Sequence, residues 1–116
     1  MNISLDNNDL YSISLALAYY NENETVLRNK SQIKFDKDLA KKINTKFKKR
    51  ITSFSSEEMH LILTSVTFSY ASLVEMQEVL SGDIPALVEN QKLLKQIEPV
   101  YEKFIPHLDS LFSSEN

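Results

Sequence analysis

The chain contains a single glycine, Gly82, among its 116 residues. Glycine supplies the positive backbone φ angles that tight β-hairpins need, and several glycines together form dinucleotide-binding loops, Walker loops and nucleophile elbows. None of these motifs can be written with one glycine. The sequence therefore argues against the common nucleotide-binding and hydrolase folds and against closely spaced hairpins.

Composition narrows the class of protein further. Cysteine is absent, which excludes disulfides, thiol nucleophiles and thiolate metal sites. Hydrophobic residues make up 42% of the chain and charged residues 25%, as in soluble globular proteins with a packed core. Because 116 residues are too few for two ordinary domains, we expect one domain over residues 1–116.

The distribution of apolar residues bears on location. No uninterrupted apolar run approaches the roughly 18 residues that a membrane-spanning helix needs. Asp6 and Asp9 stand where a signal peptide would have its basic and apolar regions. The abundance of Asn, Lys and Ile is typical of AT-rich genomes. These features together favour a cytoplasmic, bacterial protein without membrane contact.

Two helices are predicted in the first half of the chain. The first begins after the Asp6-Asn7-Asn8 cluster and ends between Asn21 and Lys30. The second is expected to begin with Asp36 as its N-cap and to be strongly basic outside. The predicted buried stripes are Leu10, Ile13, Leu17, Tyr20 and, if the first helix runs on, Leu27; and then Leu39, Ile43, Phe47 and Ile51.

The third helix has the best start signal. Ser55 and Glu58 have the spacing of a capping box, and Gly82 stands where a left-handed residue could end the helix. Residues 66–70 also alternate in the manner of a β-strand, but the capping box before them and the glycine after them favour a helix. Small residues between the large apolar ones indicate close helix packing or, alternatively, a polar pocket or a helix-pairing face. They are Thr64, Ser65, Thr67, Ser69, Ala71 and Ser72.

A fourth helix is capped by Asp83, with Pro85 in its first turn. Pro99 is expected to end this helix or to start a fifth at a bend, and Pro106 to interrupt the stretch that follows. Its predicted apolar residues are Leu87, Leu94 and Ile97, followed by Val100, Tyr101, Phe104, Leu108, Leu111 and Phe112. The predicted fold class is all-α, a single-domain antiparallel bundle of four to five helices.

The sequence contains few residues in arrangements suited to catalysis. The two histidines, His60 and His107, stand in no recognisable catalytic setting. Glu57 and His60 have the Glu-x-x-His spacing of di-metal bundles, but Phe104 occupies the place of a second glutamate before His107. A mononuclear site from Glu57, His60 and a distant carboxylate remains the alternative to a simple helix start. We predict no catalytic residue, no metal site and no cofactor.

Charge is the most informative feature of the sequence. Residues 28–50 contain ten basic and two acidic residues, which gives the segment a formal net charge of +8. Because the whole chain has a net charge of −3, the remaining residues carry −11. The candidate binding residues are Lys37, Lys41, Lys42, Lys46, Lys48, Lys49 and Arg50.

Three interpretations of this basic segment are open. The first is a solvent-exposed face whose positive charge is balanced by acidic neighbours. The second is a docking surface for an acidic protein, and the third is a binding surface for nucleic acid. Few arginines and an overall acidic chain disfavour nucleic acid. We predict a non-enzymatic protein in an accessory, immunity or regulatory role, whose partner is another protein or a second copy. The alternative is a nucleic-acid-binding accessory protein that uses residues 28–50.

Overall fold

The computed structural model describes residues 3–23 and 27–108. Its helices are α1 (Asn7–Glu22), α2 (Lys30–Lys48), α3 (Ser56–Val79) and α4 (Ile84–Phe104), followed by a 3₁₀ turn, Ile105–His107. Residues 66–70 lie within α3, and no strand occurs in the part of the chain described. The predicted all-α bundle is confirmed in its four-helix form. The predicted apolar residues Leu111 and Phe112 lie outside the described residues.

Each helix begins at a side-chain cap. Asp6 and Asp9 form a reciprocal capping box at α1, and Ser55 and Glu58 form the predicted one at α3. Asp83 accepts a hydrogen bond from the Ala86 N–H, which confirms the predicted start of α4. The predicted starts of the first, third and fourth helices are therefore confirmed.

The predicted start of α2 is wrong. Asn29, not Asp36, is the N-cap, and its side chain accepts from the Gln32 N–H at 2.8 Å. Asp36 lies well inside the helix and is buried, where it pairs with Arg28. Its carboxylate thus satisfies a partner from outside the helix instead of the first-turn N–H groups.

The ends of α2 and α3 also differ from expectation. Gly82 does not adopt a positive φ, because Ser81 and Asp83 close the end of α3 with right-handed turn hydrogen bonds. The left-handed residue is instead Arg50, at φ 57° after the end of α2. Ile51, predicted on the buried stripe, follows this turn and is exposed.

Pro99 neither ends α4 nor starts a new helix. The helix runs through it to Phe104. Proline cannot donate to the carbonyl one turn earlier, that of Lys95. Both residues are exposed, so water can satisfy that carbonyl, and the prediction of a break at Pro99 is wrong.

The core forms where α1, α3 and α4 pack on one another, while α2 packs on α1 and α3. The predicted stripe of α1 is buried from Leu10 to Tyr20, but Leu27 lies beyond the helix and is 97% exposed. Lys103 of α4 pairs with Asp9 of α1. The most deeply buried large side chains are Ile13, Leu17, Ile43, Ile62, Leu63, Val66, Ile97, Val100 and Phe104.

Hydroxyl groups cross the helix contacts. Ser12 of α1 donates to the Gln96 carbonyl of α4 at 2.7 Å, and Ser69 of α3 donates to the Ala16 carbonyl of α1 at 3.3 Å. Ser69 and Ala16 are fully buried, so the close-packing interpretation of the small residues holds at Ser69. Ala71, by contrast, is exposed.

Candidate binding surface on helix α2

Helix α2 lies at the edge of the bundle and presents two opposite faces. Its buried face consists of Asp36, Leu39, Ala40 and Ile43, with Phe47 half-buried beyond them. The opposite face is exposed along the whole helix. A helix that packs on its neighbours along one narrow side leaves the rest of its circumference to solvent or to a partner.

Five exposed lysines form one row along α2, here called the lysine row. At about 100° per residue they fall within an arc of about 60°, and at about 1.5 Å per residue the row is about 27 Å long. Its members are Lys30, Lys34, Lys37, Lys41 and Lys48. Lys42 and Lys49 lie to one side of the row, and Arg50 follows the helix end.

The structure therefore groups only part of the predicted set. Of the seven predicted residues, Lys37, Lys41 and Lys48 belong to the row, and Lys42, Lys49 and Arg50 are exposed beside it. Lys30 and Lys34 were missed, because the helix was expected to begin after them. The Asn29 and Gln32 pair, three residues apart, was the available signal for the earlier start.

The lysine row carries uncompensated charge. Within residues 3–23 and 27–108, no carboxylate lies within 4.0 Å of any of its ammonium groups. Lys30 stands in the first turn of α2, which has no acidic residue and where the helix dipole disfavours a cation. Like charges three or four residues apart, such as Lys37 and Lys41, also repel. Except at Lys48, in the last turn of α2 where the helix dipole favours a cation, the charges of the row thus do not favour folding.

Lys46, also among the predicted binding residues, is only partly exposed, and its ammonium group is engaged within the fold. Its ammonium group donates to Glu58 at 2.6 Å and to the Ser53 carbonyl at 3.1 Å. Burial raises the pKa of the Glu58 carboxyl, but the Lys46 ammonium and the Ser55 N–H outweigh burial and hold that pKa below its ordinary value. Lys46 thus joins α2 to the start of α3.

Arg28, which contributes to the basic count of the segment, is also buried. Its guanidinium donates to Asp36 at 2.7 Å and to the Asn21 side chain at 3.1 Å, and it lies 4.5 Å from the centre of the Tyr20 ring. Gln32 donates to the other oxygen of Asp36 at 2.8 Å. Through these bonds Arg28 connects the start of α2 to the end of α1, and the two charges of the ion pair neutralise each other within the fold.

A groove of about 690 Å³ opens beside the exposed face of α2. Phe35 stands at its edge and is 48% exposed. Phe35 and Lys42 are seven residues apart and share one edge of the helix, so the groove borders the basic surface. We call this cavity the Phe35 groove; it is lined by Tyr20, Arg28, Gln32, Phe35, Asp36, Leu39, Ser56, Glu57, His60, Leu61 and Thr64.

In the described part of the chain, no three side chains of the types that bind metals come together. Glu57 and His60 both line the Phe35 groove.

Among the described helices, none is at once long and apolar enough to cross a membrane. Comparisons of the chain with protein-family models, curated proteins and solved structures find no significant match.

Proposed function

We propose that this chain is a non-enzymatic binding protein whose helix α2 docks against an acidic surface of another protein. One observation carries the proposal. A row of lysines about 27 Å long, without an ion-pair partner among the described residues, runs beside a groove at whose edge an aromatic ring is exposed. Lysines provide electrostatic attraction to an acidic partner, and an apolar side chain of that partner can fill the groove.

The exposed aromatic ring favours a protein over nucleic acid as the partner. Protein interfaces centre on buried aromatic and aliphatic anchors, and Phe35 with the adjoining Leu39 and Leu61 offers such a centre. Arginine, the side chain best suited to read phosphates and bases, is represented on this surface by Arg50 alone, because the Arg28 side chain is buried.

The proposal can be tested with three labelled probes in a fluorescence anisotropy titration at low salt. The first is a helical peptide with Glu and Leu on one face, the second is the same peptide with Leu replaced by Ser, and the third is a DNA duplex. We expect the Glu/Leu peptide to bind most tightly. In Lys34→Glu/Lys41→Glu its affinity should fall about tenfold or more, since two attractive contacts become repulsive.

A matched control is available on α4. Lys92→Glu/Lys95→Glu changes the net charge equally, but both lysines are exposed and lie outside α2, so binding should not change. Phe35→Ala should weaken binding of the Glu/Leu peptide more than that of the Ser peptide. If the duplex alone binds and the α2 variant loses it, the nucleic-acid alternative is correct. If neither peptide distinguishes wild type from the α2 variant, the row is only a solvated face.

A further inference from the structure

One face of α3 is covered along its first half and open along its second. A continuous row at spacings of three and four runs through Leu61, Thr64, Phe68, Ala71, Glu75 and Glu78. Leu61 and Thr64 line the groove against Phe35 and Leu39 of α2, and the Phe68 ring packs on Tyr20 of α1. From Ala71 onward no described helix covers this face, and Ala71, Glu75 and Glu78 are exposed.

The open part combines acidic and apolar chemistry. Val79 is 73% exposed and Val74 is 43% exposed, on either side of the two glutamates. Residues 61–91 contain no lysine or arginine, so no basic side chain from this stretch neutralises the glutamates. We call this surface the open α3 face; it consists of Ala71, Val74, Glu75, Glu78 and Val79.

Within the described residues, no ion pair joins the open α3 face to the lysine row of the same molecule. Lys46, the lysine of α2 that pairs with α3, contacts Glu58 in the first turn of α3, whereas Glu75 and Glu78 lie near the other end of that helix. The charges of the two surfaces are therefore available to a second molecule.

We propose that the occupant of the open α3 face is α2 of a second copy of this chain. The proposal rests on the proposed function, that α2 is a protein-docking surface, and names its partner. Lysines of one copy face Glu75 and Glu78 of the other, and the exposed valines provide the apolar contact that the Phe35 groove accepts. Because two different surfaces meet, the contact can form reciprocally in a closed dimer or repeat from copy to copy.

The test is the mass of the full chain in solution, measured by sedimentation velocity over a range of concentrations. At about 0.01 M salt, where charges act over about 30 Å, the average mass should rise with concentration. At about 1 M salt it should fall to that of one chain. Lys34→Glu/Lys41→Glu and Glu75→Lys/Glu78→Lys should each remain monomeric at low salt, and the Lys92→Glu/Lys95→Glu control should associate like wild type.

The decisive experiment mixes the α2 variant, Lys34→Glu/Lys41→Glu, with the α3 variant, Glu75→Lys/Glu78→Lys. The α3 variant keeps the native lysine row and the α2 variant keeps the native open α3 face, so a mixture should form a complex that neither forms alone. Val79→Ser, a milder change, should weaken association of the otherwise native chain. Both double variants must retain the far-UV circular dichroism spectrum of wild type.

Two results would contradict self-association, and neither would decide whether α2 is a protein-docking surface. Either the wild-type chain stays monomeric at low salt, or Glu75→Lys/Glu78→Lys associates as wild type does. In both cases the Glu/Leu peptide titration still reports on α2, because the α3 variant retains the lysine row and should bind that peptide normally. If that peptide also fails to bind wild type, both proposals are wrong.

Discussion

Arg50 closes α2 in a backbone conformation that L-residues with side chains seldom adopt. At φ 57° it lets the Arg50 N–H bond the Phe47 carbonyl at 3.0 Å and the Ile51 N–H bond the Lys46 carbonyl at 2.8 Å. These two bonds define a Schellman motif, which usually has glycine at this position. An L-residue with a side chain pays about 1–2 kcal/mol for the left-handed region.

Arg50→Gly should therefore stabilise the protein. The gain in free energy of unfolding should be about 0.5–1 kcal/mol, because glycine relieves the strain but gives the unfolded chain more conformational freedom. Urea denaturation measures it. Arg50→Ala removes the same charge and keeps the strain; an equal gain in that variant would assign the effect to charge repulsion among the neighbouring lysines.

Glu58 should make stability depend on pH. Because its pKa is lowered in the folded state, its contribution is complete above the unfolded pKa, about 4.3, and is lost as the pH falls through the folded value. Glu58→Gln keeps a capping side chain but loses the charge that pairs with Lys46. It should be about 1 kcal/mol less stable than wild type at neutral pH.

The difference between wild type and Glu58→Gln should shrink toward zero in acid, as followed by urea denaturation at several pH values. Glu57→Gln is the control, because Glu57 is exposed in the same helix turn. A difference that stays constant down to acidic pH would show that the ion pair with Lys46 is not its source.

At the level of the helices, α2 shows what local sequence signals can and cannot predict. Its apolar spacing predicted the buried residues Leu39 and Ile43. The prediction of Asp36 as the cap was wrong, because Asp36, inside the helix, forms an ion pair with Arg28. Such a contact between separate parts of the fold cannot be seen in the local spacing of residues. The partial burial of Lys46 likewise depends on its ion pair with Glu58 of α3.

Lys37→Glu should stabilise α2 while weakening its binding. The new carboxylate would lie four residues before Lys41 and three after Lys34, so two repulsive pairs become attractive, each worth about 0.2–0.5 kcal/mol. Thermal unfolding by circular dichroism should shift upward, and affinity for the Glu/Leu peptide should fall. Lys37→Gln should show about half of each effect; a loss of stability in Lys37→Glu would mean that the row already has favourable partners.

In the molecule as a whole, the bundle was predictable and the surface only partly so. The caps and the 3.6-residue period specify which residues enter the core, and the core of α1, α3 and α4 follows from them. The open α3 face was not predicted as a surface, because the sequence of α3 does not show which part of the helix α2 covers. The position of α2 depends on contacts between helices, such as the ion pair of Lys46 with Glu58, and these are not visible in local spacing.

Hydrogen exchange should rank the helices. α3 buries eight of its residues between its neighbours, whereas α2 buries four and lies at the edge. Amides in the middle of α2 should therefore open with a lower free energy than those around Leu63 and Val66 of α3. Native-state exchange followed by NMR measures this, and equal protection in α2 and α3 would mean that α2 unfolds only together with the core.

The hydroxyls of Ser12 and Ser69 have a consequence for how uniquely the helices align. Aliphatic contacts tolerate a slide of one helix past another, since one leucine or isoleucine can replace its neighbour one turn away. The buried hydroxyl of Ser69 does not, because a shift of one turn takes it away from the Ala16 carbonyl and leaves it without that partner. Ser12 also reaches the Asn8 carbonyl of its own helix, so a shift against α4 would cost it only the two bonds with Gln96. Ser69 thus selects one register of α1 against α3 from several that the apolar stripes alone would allow, and Ser12 favours one register against α4.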